Sequence, residues 1–187
     1  MSDALLHALS RHLIHETLAV VTEPQAAVMV LISRGENPSL LYTKRAAHLR
    51  QHPGDVCFPG GMWEAEDGDL FVTAQRETYE EIGLPASGIQ LLGRLPKSHT
   101  RAGTPVTPFV GSFDTSIPLR LSPDELDSIF SVPLEAFYKG IQVREDQFER
   151  NGRVISVPAY HYQGYEIWGF TAAVTAQLLR LLTRITS

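Results

Sequence analysis

Residues 76–81 read Arg-Glu-Thr-Tyr-Glu-Glu, which crowds three carboxylates and a guanidinium into less than two helical turns. On a helical wheel at about 100° per residue, Phe71, Ala74, Thr78 and Ile82 fall in one narrow sector. Glu77, Glu80 and Glu81 lie together on the adjoining flank, and Glu77 and Glu81 are four apart, so their carboxylates project side by side. At about 4 Å such a pair repels by roughly 1 kcal/mol in water and about 4 kcal/mol at an effective dielectric of 20. A solvated acidic face tolerates that cost, and so does a site that grips hard cations. Two neighbours favour the second. The flank borders the apolar stripe, and the Phe58-Pro59-Gly60-Gly61 turn upstream lets backbone come close to a ligand. Carboxylates with an exposed carbonyl form a hard-oxygen site suited to Mg²⁺ or Mn²⁺. Arg76 is placed to steer one carboxylate by a forked hydrogen bond, the alternative being an ordinary surface ion pair of little energetic worth.

The elements that must hold this cluster are legible in outline. Leu5, Leu6, Leu9, Leu13 and Ile14 recur at helical spacing and predict an amphipathic helix over about residues 3–16. Its apolar face either packs on the body or forms a homodimer contact. Strands are expected at 25–33 and 40–44 around a turn at 34–38, then a short strand near 56–58 and a turn at 59–61. The acidic helix is expected over 70–82, capped by Asp67 or Asp69 and stopped by Gly83 before Leu84-Pro85. Further strands are expected at 89–95 and 106–113, a short helix at 132–138, a hairpin of 141–149 and 154–162 about Asn151-Gly152, and a last helix over 170–186. Mixed strands with helices before, between and after them predict an α/β fold, helices layered on a mixed central sheet.

Bulk properties narrow the function. The chain of 187 residues, 43% hydrophobic and 20% charged, fits one domain spanning 1–187. A net charge of −5 and no long basic stripe make a nucleic acid polymer a poor partner, whereas a small anionic substrate stays open. No apolar run is long enough to span a membrane, and Asp3, His7, Arg11 and His15 interrupt the amino-terminal region where a signal peptide would be apolar. The single cysteine, Cys57, cannot form an intramolecular disulfide, which is consistent with a reducing, cytoplasmic setting. Cys57 is expected to be a small buried hydrophobe. His48, His52 and His99 match no zinc spacing and are read as pocket-wall or surface residues. Trp168 is read as core in preference to a base-stacking platform.

Gly61, Asp67 and the run from Arg76 to Leu84 resemble the Nudix box, G-x5-E-x7-R-E-U-x-E-E-x-G-U with U aliphatic. Here the box occupies 61–84; its second spacer is one residue longer, Asp67 stands for Glu, and Thr78 stands for the aliphatic residue. Residues 41–61 are similar to the signature of the family's coenzyme A pyrophosphatases, LLTxR[SA]x3Rx3Gx3FPGG, with Tyr42 in place of the second leucine. The stretch 167–172, Ile-Trp-Gly-Phe-Thr-Ala, looks like the end of that subgroup as well. The chain departs from it at 100–104, where Thr104 occupies the aromatic position of T-x-[ST]-G-Y. That departure bears on which nucleotide is taken, not on hydrolysis.

The resemblance implies a Nudix-type α/β/α sandwich that hydrolyses a pyrophosphate with Mg²⁺ or Mn²⁺. It implies that Glu77, Glu80 and Glu81, helped by the Gly61 carbonyl, ligate the metal, and it leaves open which glutamate instead serves as general base. A further carboxylate from a later loop is expected, with Glu125 the candidate, against a merely solvated turn. Lys44, Arg45 and Arg50, with Phe58 and Gly60, are expected at the substrate, where arginine suits phosphate by its bidentate geometry. The implied reaction cleaves coenzyme A or a derivative to 4′-phosphopantetheine and adenosine 3′,5′-bisphosphate. The alternatives are another nucleoside diphosphate derivative (ADP-ribose, NADH, a dinucleoside polyphosphate) or a nucleotide sensor that does not cleave.

Overall fold

A computed structural model describes residues 2–16, 21, 24–150 and 152–186. In chain order the elements are α1 (Ser2–Ser10), β1 (Ala26–Ser33), β2 (Ser39–Arg45), β3 (Val56–Cys57), β4 (Gly60–Met62), a 3-10 turn (Ala65–Asp67), α2 (Leu70–Ile82), β5 (Ile89–Arg94), β6 (Ser98–His99), β7 (Pro105–Phe113), β8 (Leu126–Pro133), α3 (Leu134–Lys139), β9 (Gln142–Arg150), β10 (Arg153–Tyr162), β11 (Tyr165–Ile167) and α4 (Gly169–Thr186). The main sheet runs β3-β2-β1-β7-β5, with β8 on β2, β4 on β1 and β6 on β7. It is mixed: β1 and β7 are parallel from Ala26 opposite Val106 to Ser33 opposite Phe113, and the other pairs are antiparallel. β9, β10 and β11 form a second, three-stranded sheet.

Period-two alternation along β1 explains the layering. Met29 and Leu31 face α2 together with Leu70, Ala74 and Ile82, whereas Val30 and Ile32 face a larger cluster that contains Leu9 of α1 and Leu178 of α4. The sheet is thus covered by helix on both sides. Among the described residues no helix is long and apolar enough to cross a membrane.

Three expectations need correction. The first helix stops at Ser10 instead of Glu16, because Ile14 leaves the helical path to exchange backbone hydrogen bonds with Arg94, both at 3.0 Å. Gly93 makes that approach feasible, since a Cβ there would lie 2.6 Å from the Leu13 Cβ. Leu6, Leu9 and Leu13 are buried in the chain's own core, so of the two placements open to that apolar face these residues take packing on the body. The turn at 59–61 is in part a strand, β4, whose Gly61 pairs with Ala27. The segment 132–138 is not one helix: Val132 and Pro133 end β8, which pairs along β2, and α3 begins only at Leu134. The turn residue Asn151 lies outside the described residues, while Gly152 has the positive φ of 71° that such a turn requires.

Tyr42, the departure from the leucine of the signature, has a structural reason. It is fully buried, its ring lies 4.9 Å from that of Phe58 and 5.5 Å from that of Phe130, and its hydroxyl sits 2.9 Å from Thr175 Oγ1 on α4. Thr175 donates its own proton to the Thr171 carbonyl, so the Tyr42 hydroxyl is the donor of the pair. Tyr42→Phe therefore leaves no orphaned donor and is expected to cost only about 1 kcal/mol of unfolding free energy by urea denaturation. A loss above about 3 kcal/mol would mean that the hydroxyl supports more than this one contact.

Candidate active site

The acidic helix is fixed at both ends by its own sequence. The Asp69 carboxylate accepts from the Phe71 and Val72 amides at 2.8 and 2.9 Å, and Gly83, in the left-handed region at φ 69°, donates its amide to the Tyr79 carbonyl at 2.8 Å. Asp69 is thus the cap, which frees Asp67 for another task. The Asp67 carboxylate takes the fork of Arg76, Nε at 2.8 Å and Nη2 at 3.1 Å, together with the Thr73 hydroxyl and the Glu64 amide. That guanidinium fork, ahead of the other contacts, holds Asp67 below the usual carboxylate range.

Arg76 is far from an ordinary surface ion pair. Beyond Asp67 it donates to Glu77 Oε1 at 2.9 Å, Glu80 Oε2 at 3.1 Å and the Met62 carbonyl at 3.1 Å. One side chain thereby ties the 3-10 turn and β4 to two of the three helix glutamates. The longer spacer of the box, 68–75, starts at Gly68, which has φ 74°.

The three glutamates do not share one flank as the wheel suggested. Glu81 is buried at 3% exposure, on the same face as Thr78 and Ile82. The Glu77 side chain is 18% exposed and that of Glu80 52%. Burial, then the charges of Glu77 and Glu125, pushes Glu81 up to about 8, against the opposing influence of Arg45 and a Gly60 amide hydrogen bond. Its Oε2 is buried without a partner. Burial also raises Glu77, with Arg76 opposing.

The diglycine fits around these carboxylates. A Cβ on Gly61 would lie 2.3 Å from Glu77 Oε1, and one on Gly60 would lie 2.3 Å from the Ala27 carbonyl oxygen. Only glycine lets β4 sit between β1 and α2 with the glutamates packed against it.

Glu125 is exposed on the loop before β8. That loop is stitched to the end of α2 by hydrogen bonds from Ser122 to the Glu81 carbonyl and from Arg120 to the Ile82 carbonyl, at 3.0 and 2.9 Å. The stitching brings its carboxylate close enough to raise both Glu77 and Glu81.

The basic residues divide. Arg45, at the end of β2 beside an irregularity in the β2–β8 pairing, has a buried Nε without a partner and lies within the field of Glu81. Lys44 is opposite Val56 on β3 and is half-buried, while Arg50 is exposed in the loop that follows. Phe58 is 2% exposed and stacked on Tyr42, so its side chain is core and offers no surface to a ligand. Trp168 departs from expectation in the other sense and is 41% exposed. Cys57 is largely buried, and burial followed by the Glu81 charge pushes its thiol up to about 12, which fits a packed side chain and not a nucleophile. His48 and His52 are surface residues bonded to the Asp124 carbonyl and the Asp55 carboxylate, and His99 is exposed.

Among the described residues no three carboxylate, imidazole or thiol groups already converge as a cation cage. Arg76 holds Glu77 and Glu80, and the Glu80 side chain is exposed. The donor set nevertheless suits a hard divalent ion. Glu81 Oε2 is buried and unsatisfied, Glu77 and Glu125 lie near it, and all are oxygen donors.

A fold of this layering, with this box on the helix that covers one face of its sheet, defines a family, and comparison with known proteins agrees. The NUDIX domain family model matches residues 23–153. A relative from Salmonella newport, described as "Uncharacterized Nudix hydrolase NudL", is 38% identical over 181 residues, 93% of this chain and 92% of the relative. One of the same description from Enterobacter sp. is 36% identical over 159 residues, 85% and 83% of the two chains. The chain belongs to the Nudix hydrolase family. The Caenorhabditis elegans ("C. elegans") Ap4A hydrolase shares the fold, with a TM-score of 0.55 at 16% identity over 87% of this chain and 96% of that one.

Proposed function

We propose that this enzyme hydrolyses the pyrophosphate of coenzyme A or its derivatives, releasing 4′-phosphopantetheine and adenosine 3′,5′-bisphosphate. The observation that carries the proposal is a pair of orphaned polar atoms, one on a guanidinium and one on a carboxyl group. Arg45 Nε and Glu81 Oε2 are both buried, both without partners, and within each other's field. A diphosphate with its divalent counter-ion satisfies both, the anion at the guanidinium and the cation at the carboxylate. The stretch 41–61, which supplies Arg45, also carries the resemblance that selects coenzyme A among pyrophosphate substrates.

Glu77, Glu80 and Glu81, with the Gly61 carbonyl and Glu125, would hold Mg²⁺ or Mn²⁺. When bound, the metal supplies charge neutralisation of the diphosphate and lowers the pKa of a coordinated water. Arg76 positions Glu77 and Glu80 by the contacts already described. Arg45 is the phosphate anchor closest to the acidic cluster, and Lys44 and Arg50 extend the cationic rim. Glu81, raised by burial in the metal-free site, would give up its proton on taking the cation.

Thr104 favours a second reading. It closes an exposed turn in which the Thr100 and Thr104 backbones pair at 3.0 Å, and it offers no ring to a base. Another nucleoside diphosphate derivative, such as a dinucleoside polyphosphate, fits that change. Both readings are tested by incubating the protein and Mg²⁺ with coenzyme A, ADP-ribose, NADH and diadenosine polyphosphates, and weighing the products. Preferential release of 4′-phosphopantetheine is expected; comparable turnover across the panel overturns the coenzyme A assignment.

A further inference from the structure

Trp168 is an exposed aromatic that the site described above does not use. A lone exposed aromatic is unremarkable by itself, but this one is held in place on both sides. Ile167 before it is fully buried, Gly169 after it turns the chain at φ 58°, and its carbonyl accepts the Ala172 amide at 3.3 Å. The ring is therefore presented from a fixed backbone and does not hang from a loose loop.

Its place in the fold is informative. Thr171 Oγ1, one helical turn further on, donates to the Val56 carbonyl at 3.0 Å and fastens the start of α4 to β3. Val56 is the ladder partner of Lys44. Lys44 has the same strand parity as Tyr42, whose hydroxyl reaches Thr175, so Lys44 emerges on the α4 side of the sheet, towards the start of that helix. Trp168 and Lys44 thus flank one contact. Five residues on from Val56 is Gly61, which lies against Glu77. Those five residues span at most about 17 Å, a distance that one extended dinucleotide covers. Arg45, the next residue of β2, lies within the field of Glu81.

We propose that Trp168 stacks on the adenine ring of the substrate, with Lys44 beside it for the adjoining phosphate, and so sets specificity from the α4 side while Arg45 and the glutamates work from the α2 side. This rests on the proposed pyrophosphohydrolase reaction. It supplies a ring from a different element than position 104, where Thr104 offers none.

The protein contains two tryptophans, Trp63 and Trp168, so the stacking can be read without turnover. In a Trp63→Phe background, adenosine 3′,5′-bisphosphate is expected to quench the remaining fluorescence saturably, and in Trp168→Phe the same titration should leave the Trp63 signal unchanged. In steady-state assays with coenzyme A, Trp168→Ala should raise KM by about 5- to 150-fold with kcat within a few-fold, the signature of lost uniform binding. Trp168→Tyr should restore most of the affinity. Unchanged KM in Trp168→Ala, or unaltered quenching in Trp168→Phe, overturns the role of Trp168 even if coenzyme A is cleaved. Should coenzyme A prove inert while quenching through Trp168 persists, the stacking role stands and the substrate assignment falls.

Discussion

Glu81→Gln is expected to lower turnover by about 10³-fold and, in metal-free protein, to raise the melting temperature. Both effects come from one carboxylate, buried at 3% exposure with an unpartnered oxygen beside Glu77 and Glu125. The amide keeps the shape and removes the charge. The stability effect has a definite dependence on pH. The folded-state pKa, about 8, lies above the ordinary 4.5, so between these values the native state retains a proton that the unfolded chain releases. Stability of the wild type therefore falls as pH rises through that window, and the penalty is complete above pH 8, on the order of a few kcal/mol. The advantage of Glu81→Gln should be absent near pH 4 and largest above pH 8. Thermal melts in chelator at several pH values check this. A wild-type curve that tracks the variant at every pH would show that Glu81 carries no strained charge, and an unchanged rate would remove it from the site.

The neighbouring glycines should respond to alanine in opposite ways. At Gly60 a Cβ would meet the Ala27 carbonyl oxygen at 2.3 Å and the Val28 Cα at 2.7 Å, both backbone, at φ 154°. Neither atom can yield without parting β4 from β1. Gly60→Ala is expected to cost about 3–5 kcal/mol, from clash and backbone strain together, a large share of the stability of a domain this size. At Gly61 the atoms in the way are the carboxylate of Glu77, the free end of a side chain. Gly61→Ala should fold with a small shift in melting temperature and lose activity by roughly 10²-fold, because the displaced carboxylate gives up its place beside Arg76. Melting curves and kcat on both variants separate the two. Equal loss of stability would mean that Glu77 is as immovable as the backbone.

Local chemistry made part of this architecture readable in advance. The acidic helix runs from Leu70 to Ile82 as expected because Asp69 and Gly83 are strong stop signals on either side of a clear apolar stripe. The hydrophobic run of β1 and the hairpin of β9 and β10 were equally plain. The misses arose where the partner decides. β8 has too little alternation to announce itself and exists by pairing with β2. β6 and β11 are too short to show a period. Within the site, a wheel places Glu81 next to the buried stripe but cannot say that the loop before β8 bonds to its carbonyl and to that of Ile82. Nor could it tell that Arg76 would choose Asp67, nine residues back, as its main partner. Phe58 and Trp168 exchanged the environments expected of them, the first taken up by the ring of Tyr42 and the second left at the open start of α4.

The stitching of that loop to α2 implies that the signature and the site are separable objects. A peptide of residues 61–84 would carry every box glutamate, yet at that length it would be at best marginally helical in water, and its carboxylates would be hydrated, with ordinary acidities. What changes them is a sheet drawn from both halves of the chain, with Arg45 arriving from one direction and Glu125 from the other. Grafting the box onto another helix would therefore transplant charge without transplanting its unrest.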